Sequence, residues 1–174
     1  MKKVIVIGCD HAGLKLKTKI VENLTHGLDL GMALIDVGCV SPESVDYPIY
    51  AIEVCKTILS GQATHGILVC GTGVGMSMVA NRFPNIRAVL ANDVGIVKLA
   101  REHNNANVLC LGGRIGCSEY QVGLIVDTFL NTEFSMNGRH RRRIEQMENA
   151  GTVAPTDNLG GFPRVGALLS DFGE

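Results

Sequence analysis

The stretch GILVCGTGVG, residues 66–75, indicates the fold of this chain. An apolar run from Gly66 to Cys70 is followed at once by three glycines, a threonine and one bulky residue. Continuous apolar runs of this length are typical of buried parallel strands. Glycines let the backbone turn sharply and bring its N–H groups close to a negatively charged group. The stretch therefore predicts a strand, a tight turn and the start of a helix, with a cysteine at the strand end.

The same order of a short apolar run and a longer helical pattern occurs five times along the chain. Five such units predict a five-stranded parallel sheet with helices on both faces, a Rossmann-like three-layer α/β/α sandwich. A last helix, without a strand before it, is predicted at Gly138–Asn149. The five predicted pairs are Val4–Gly8 with Leu14–Leu24, Ala33–Val37 with Tyr47–Leu59, Gly66–Cys70 with Gly75–Arg82, Arg87–Ala91 with Val94–His103, and Asn107–Leu111 with Glu119–Asn131.

Composition is typical of one globular domain. Of the 174 residues 46% are hydrophobic and only 5% aromatic, without Trp, so the core must be aliphatic. We predict a single domain over residues 1–150. Residues 151–174 are rich in Gly and Pro and are predicted to be an extension, either packed on the surface or on a partner subunit, or partly disordered.

Net charge and hydropathy exclude several classes of partner. The formal net charge of −1 argues against nucleic acid and membrane surfaces as partners. No stretch approaches the roughly 20 apolar residues of a membrane span, and no signal region follows Met1. We therefore expect a cytoplasmic protein.

The six cysteines do not have the spacing of a metal site. No pair is spaced C-x-x-C, and no matching histidine spacing accompanies them, so no metal is predicted. The loop GTGVG also lacks the third glycine of the dinucleotide fingerprint and the lysine of a P-loop. An oxyanion that forms during a reaction suits such a loop at least as well as a bound phosphate.

Polar residues and glycines follow several of the predicted strands. In open parallel sheets, ligands bind beyond the carboxyl ends of the strands, where the strand order reverses. Asp10–His11 follow the first strand, Asp46–Pro48 precede the second helix, Cys70–Gly75 follow the third strand and Gly112–Arg114 follow the fifth. The sequence therefore predicts a binding site at this edge.

Six stretches together resemble the ribose 5-phosphate isomerase B family, which also includes the galactose 6-phosphate isomerase subunits. They span roughly residues 3 to 148 in the family's order, which is far more specific than any single motif. The stretches are GCDHAGLKLK (8–17), DYP (46–48), CGTGVGMS (70–77), REHNNANVLCLGGR (101–114), IVDTFLNTEF (125–134) and GRHRRRI (138–144).

The resemblance implies an aldose–ketose isomerase that needs no metal and no organic cofactor. Such an enzyme interconverts ribose 5-phosphate and ribulose 5-phosphate in the non-oxidative pentose phosphate pathway. It moves a proton between C1 and C2 of the open-chain sugar through a cis-enediolate. The reaction requires a group that opens the sugar ring, a base, donors for the enediolate oxygens and a phosphate site.

The resemblance also implies roles for individual residues. Cys70 matches the catalytic base and His103 the general acid of ring opening, and Thr72 would assist by a hydrogen bond. The loop N–H groups would stabilise the enediolate, Asp10 and Asn104 would bind sugar hydroxyls, and the arginines and His11 would bind the phosphate. The implied substrate-binding residues are Asp10, His11, Tyr47, Gly71, Gly73, Val74, Gly75, Asn104, Arg114, Arg139 and Arg143.

Spacing within RHRRR separates the arginines of the last predicted helix. Residues four apart share a helix face, so Arg139 and Arg143 are expected to point together, whereas Arg141 and Arg142 point elsewhere. Two guanidinium groups on one face can bind a phosphate dianion by bidentate hydrogen bonds. The alternative is a solvated basic face or a weak nucleic-acid patch.

In the family that the chain resembles, the active site is shared across a homodimer interface. The loop cysteine comes from one subunit and the histidine of the REHN segment from the other, so we expect a homodimer or a tetramer of such dimers. The segment Leu90–Ile96 and the length of the tail depart from the family pattern, which leaves sugar preference and assembly open.

Three other functions are compatible with the sequence. One is an isomerase, or isomerase subunit, for galactose 6-phosphate or allose 6-phosphate. Another is a sugar-phosphate-binding protein without turnover, in which Cys70 is inert. A third is a redox switch in which Cys9 and Cys70 form a thiol pair. Turnover is favoured because a protein that only binds would need the arginines but not Cys70 and His103.

Overall fold

The computed structural model describes residues 3–27 and 32–150. The predicted extension at 151–174 lies outside these ranges, so the division of the chain at residue 150 stays a prediction. Strands and helices alternate up to the last helix. The elements are β1 (Lys3–Cys9), α1 (Leu14–Gly27), β2 (Met32–Asp36), α2 (Tyr47–Leu59), β3 (His65–Cys70), α3 (Val74–Ala80), β4 (Ala88–Leu90), α4 (Val94–Asn104), β5 (Val108–Gly112), α5 (Glu119–Asn131) and α6 (Gly138–Asn149).

The five strands form one parallel sheet in the order β2-β1-β3-β5-β4. Alternate side chains of a strand point to opposite faces, and the three inner strands, β1, β3 and β5, have both faces covered. In β3, Ile67 and Val69 pack on one side, and Leu68 and Cys70 pack on the other. The predicted three-layer sandwich is confirmed.

Two aliphatic cores hold the helices on the sheet. Helices α1, α4 and α5 cover one face, where Phe129 and Ile125 are fully buried. Helices α2 and α3 cover the other face, with Val54 and Met76 at its centre. Helix α6 packs against α4 rather than on the sheet.

Local capping explains where several helices begin. Pro48 occupies the first turn of α2, where its missing N–H costs no hydrogen bond. The side chain of Asp93 accepts a hydrogen bond from the Ile96 N–H at the start of α4, and Ser118 forms a capping box with Gln121 at the start of α5. Predicted bounds and observed bounds agree for α2, α5 and α6, and the remaining predicted elements differ by a few residues at their ends.

The strand order reverses between β1 and β3, because β1 continues to β2 on one side and β3 neighbours β5 on the other. The loops after these strands diverge at this point and leave room for a ligand. The loops that begin at Asp10 and Gly71 lie at this carboxyl edge of the sheet, as predicted from the sequence.

Helix α4 leads away from that edge. It begins after β4 and its 11 residues span about 16 Å, so its end lies at the amino edge of the sheet. Hydrogen bonds confirm this position: the Asn105 carbonyl accepts from Arg87, which precedes β4, and the Asn107 carbonyl accepts from Gly66 at the start of β3. His103 and Asn104 therefore lie at the opposite edge from Cys70.

Candidate active site

Cys70 ends β3 with its side chain directed into the glycine loop. The residue is only 5% exposed, and the Gly73 N–H donates a hydrogen bond to its Sγ at 3.1 Å. The sulfur atom thus lies within reach of a backbone donor of the loop, and the thiolate is the form of a cysteine that can accept a proton from carbon. The Thr72 hydroxyl oxygen accepts from the Val74 N–H at 3.3 Å and lies exposed beside the loop.

Two of the loop glycines are required by the geometry. Gly73 has φ 78°, a left-handed conformation that disfavours other residues, and this conformation starts α3. Gly75 lies under the ring of Tyr47, where a Cβ would come within 2.6 Å of the ring. Tyr47 thereby forms a wall against the loop, consistent with its predicted place in the site.

The loop after β5 fastens the glycine loop from the other side. The Cys70 carbonyl accepts from the Gly113 N–H at 2.7 Å, and the Gly71 carbonyl accepts from the N–H groups of Arg114 and Ile115. A Cβ on Gly71 would be 3.8 Å from the Arg114 side chain, so this arginine lies directly beside the loop. Its exposed guanidinium is available to an anion at this edge.

Asp10 and His11 complete this side of the site. Asp10 is 6% exposed, and its carboxylate accepts from the Gly13 N–H at 2.9 Å. The Val45 N–H donates to His11 Nδ1 at 3.1 Å, so this nitrogen carries no hydrogen. The ring proton of His11 is therefore on Nε2, which can donate to a ligand.

A second set of predicted residues meets at the end of α4. His103 stacks on His140 of α6, with ring centroids 4.2 Å apart and the rings tilted by 40°. Arg139 Nε donates to His140 Nε2 at 3.1 Å. Helix α6 is also anchored at its far end, where Glu148 pairs with Arg87 at 2.8 Å.

The predicted site residues thus fall into two groups. Within one chain, the elements that carry the two groups end at opposite edges of the sheet, so one chain does not bring Cys70 and His103 together. We call the two sets the carboxyl-edge group and the amino-edge group. The first contains Asp10, His11, Tyr47, Cys70, Gly71, Thr72, Gly73, Val74, Gly75 and Arg114, and the second contains His103, Asn104, Arg139 and Arg143.

The suggested thiol pair of Cys9 and Cys70 is wrong. Cys9 packs in the core on one face of the sheet and Cys70 in the core on the other face. The neighbour of Cys9 is Cys39, with the two Sγ atoms 3.7 Å apart. Burial, together with Cys39, raises the pKa of Cys9 to about 12, so its thiol stays protonated at neutral pH.

Sequence reasoning missed the buried supports of the amino-edge group. His140 lies in the run RHRRR, which was interpreted only through the charge and spacing of its arginines. Arg101 lies on the buried side of α4, where its guanidinium lies 5.6 Å from the Phe129 ring centre and donates to the carbonyls of Thr132 and Ala106. An arginine on the apolar side of a helical pattern was the available signal.

In the described part of the chain, no group of three or more His, Cys, Asp and Glu side chains is placed to hold a metal ion. None of the helices over residues 3–27 and 32–150 is long and apolar enough to cross a membrane.

Known proteins resemble this chain over most of its length. The family model described as Ribose/Galactose Isomerase matches residues 5–147. Ribose-5-phosphate isomerase B of Escherichia coli is 43% identical over 145 residues, which is 83% of this chain and 93% of the relative. A galactose-6-phosphate isomerase subunit of Clostridium acetobutylicum is 38% identical over 148 residues, 83% of this chain and 82% of that protein.

Solved structures also resemble this chain in sequence and in fold. The structure of a ribose 5-phosphate isomerase from Thermotoga maritima is 46% identical and superposes with a TM-score of 0.80, covering 86% of this chain and 99% of that one. The family model, the relatives and the solved structure thus point to one family over most of the chain. The chain therefore belongs to the ribose/galactose isomerase family.

Proposed function

We propose that this chain is an aldose–ketose isomerase that interconverts ribose 5-phosphate and ribulose 5-phosphate. One observation carries the proposal: a buried cysteine ends the central strand and accepts a hydrogen bond from the glycine loop that follows it. Relatives named ribose-5-phosphate isomerase B, at 43% and 39% identity, support ribose 5-phosphate as the substrate. The reaction belongs to the non-oxidative pentose phosphate pathway.

Cys70 is the base in this proposal. Its thiolate removes the proton from C2 of the open-chain aldose, which leaves an enediolate, and the same thiol then returns a proton to C1 to give the ketose. The proton on the sugar oxygens moves from O2 to O1. Thr72 and the loop N–H groups stabilise the negative charge that develops on these oxygens, and Asp10 binds the adjacent hydroxyls.

Ring opening requires an acid near the ring oxygen, and we assign this role to His103, with Asn104 binding the sugar beside it. Because His103 and Cys70 lie at opposite edges of one chain, both can reach one sugar only if they come from different subunits. The proposed enzyme is therefore a homodimer, or a tetramer of such dimers, with each site built from the carboxyl-edge group of one subunit and the amino-edge group of its partner.

The phosphate is bound where the two groups would meet. Arg139 and Arg143 lie one turn apart on α6, and both have exposed side chains. His11 offers its Nε2–H from the other subunit, and Arg114 adds a further positive charge. A phosphate dianion would thus be held by charge-assisted hydrogen bonds from both subunits, which ties substrate binding to assembly.

Exposed apolar side chains support association through this region. On α3, Met78 is 66% exposed, and on α4 Ile96 and Leu99 are about half exposed, one turn apart. Ile96 and Leu99 lie together on α4, and Met78 lies on a helix of the other layer; exposed apolar side chains that form a patch are typical of protein interfaces. A second copy of the chain is the occupant that would also complete the site.

The six cysteines are free thiols, which persist in reducing compartments, and we propose that the enzyme acts in the cytoplasm.

The test is an isomerisation assay in deuterium oxide after chelator treatment. The expected result is formation of ribulose 5-phosphate from ribose 5-phosphate, with deuterium entering at C1, and no loss of rate with chelator. Galactose 6-phosphate and allose 6-phosphate are assayed in parallel, because one relative is a galactose-6-phosphate isomerase subunit. A higher kcat/KM on either hexose phosphate would refute the proposed substrate, and binding without turnover on all three sugars would refute the proposed enzyme.

A further inference from the structure

His140 is a buried residue to which the proposed reaction assigns no role. It is 3% exposed, although it belongs to a helix whose neighbouring side chains Arg139, Arg141 and Arg142 are all exposed. Histidine is rarely buried without polar partners, because its two ring nitrogens need hydrogen bonds. Its partners therefore indicate what it does.

The two ring nitrogens of His140 have different partners. Arg139 Nε donates to Nε2 at 3.1 Å, and a guanidinium can only donate, so Nε2 is an acceptor without a hydrogen. The hydrogen of the neutral ring is then on Nδ1, which lies 2.7 Å from the Ser135 hydroxyl oxygen. Ser135 is itself held, since its N–H donates to the Glu102 carbonyl of α4 at 3.1 Å.

Electrostatics favour the same neutral ring. Burial, and then the neighbouring His103 and the guanidinium groups of Arg139 and Arg143, hold the pKa of His140 below its usual value. A neutral ring can accept from Arg139, whereas a protonated ring cannot.

The face of the ring makes the third contact, with His103 at a centroid distance of 4.2 Å. One side chain thus touches both a proposed phosphate ligand and the proposed acid of ring opening. Nε2 fixes the direction of the Arg139 guanidinium, and the ring face limits the rotation of His103.

We propose that His140 is a positioning residue that orients Arg139 toward the phosphate through Nε2 and His103 toward the ring oxygen through its ring face. This inference rests on the proposed function and deepens it. Arg139 and His103 must be held apart by the distance that separates the phosphate from the ring oxygen of the substrate. The rigid ring of His140 then sets this spacing, which two independent flexible side chains would not.

Two substitutions separate the two contacts. Phenylalanine keeps a ring beside His103 but cannot accept from Arg139. Glutamine offers a carboxamide oxygen to Arg139 but has no ring. The matched control is Arg142→Gln, an exposed residue of the same helix outside the proposed site.

Two readouts accompany these variants, and the melting temperature of each variant is measured as well. Binding of inorganic phosphate reports on Arg139 and needs no turnover. The second readout is a ratio of two rates, net isomerisation divided by exchange of the C1 hydrogen of ribulose 5-phosphate in deuterium oxide. This ratio reports on ring opening and closure. Exchange needs only the base, because ribulose 5-phosphate is already open.

His140→Phe is expected to weaken phosphate binding roughly tenfold, the loss of one hydrogen bond to a charged group, with the ratio within twofold of wild type. His140→Gln is expected to keep phosphate binding within twofold and to lower the ratio by about tenfold or more. Arg142→Gln should change neither.

Two results would overturn the proposal. One is that both variants stay within twofold of wild type in both readouts. The other is that both readouts fall together in both variants along with the melting temperature, since His140 would then only support the fold. If the wild-type protein does not isomerise ribose 5-phosphate, the proposed function fails, while the phosphate measurement still tests the contact with Arg139.

Discussion

Two inactive variants of this enzyme should restore activity when they are mixed. Cys70→Ala removes the proposed base, and His103→Ala removes the proposed acid. Cys70 and His103 lie at opposite edges of the sheet of one chain, and α4, which carries His103 to the far edge, is about 16 Å long. If each site takes one of them from each subunit, a mixed dimer has one site with both residues and one site with neither.

The size of the effect follows from this geometry. When equal amounts of the two variants are dissociated and reassociated at random, half of the dimers are mixed, and half of the sites in each mixed dimer are intact. The mixture should therefore recover about a quarter of the wild-type rate, a figure that depends only on the two-fold arrangement of shared sites.

The assay measures ribulose 5-phosphate formation after the variants are unfolded in urea together and refolded together. Variants that are refolded separately and then mixed briefly are the control, because subunits that have not exchanged should remain inactive. A double variant carrying both substitutions, refolded with an equal amount of wild type, should lower the rate per wild-type chain about twofold, because a mixed dimer then has no intact site. Activity below about one per cent of wild type in the co-refolded mixture, with dimers present by light scattering, would refute the shared site.

Three further predictions concern single residues. Cys70→Ala should lower kcat for isomerisation by about 10²- to 10⁴-fold while retaining binding of ribose 5-phosphate by calorimetry, and a loss under tenfold would exclude it as the base. Arg143→Ala should raise KM for ribose 5-phosphate about tenfold or more with a smaller change in kcat, whereas Arg142→Ala should change neither more than twofold; equal effects would place the phosphate elsewhere. Burial, with Arg101 nearby, lowers the pKa of His65 from 6.5 to about 4, so as the pH falls from 6.5 to 4 the unfolded chain binds a proton that the folded chain does not, and about 3 kcal/mol of stability is lost. His65→Phe should remove most of that loss, which is measured as the difference between the free energies of unfolding in urea at pH 7 and at pH 4.5. A difference as large as that of wild type would contradict the pKa shift.

Local sequence signals were sufficient for the elements of this fold. Apolar runs such as Gly66–Cys70 and helical patterns such as Tyr47–Leu59 depend on which face of an element is buried, and this information is contained in a window of a few residues. Capping and turn residues indicate where helices and strands begin and end, as Ser118 does for the start of α5. These signals, together with the family resemblance, led to the sandwich and to the loop after β3.

The carboxyl-edge group could also be predicted from the sequence. The loops that follow parallel strands lie at one edge whatever the order of the strands, so Asp10, Cys70 and Arg114 had to share that edge. The glycines at 73 and 75 are required there by a left-handed turn and by the Tyr47 ring.

Only the tertiary structure decided which distant side chains meet. The strand order β2-β1-β3-β5-β4 and the length of α4 place His103 at the far edge from Cys70, and no local pattern contains either fact. Because side chains alternate between the two faces of the sheet, Cys9 at the end of β1 and Cys70 at the end of β3 lie in different cores, so the suggested thiol pair was wrong. His140 meets His103 because α6 packs across the end of α4. Such contacts depend on the packing of whole elements against one another, whereas periodicity and capping record only the environment of each element by itself.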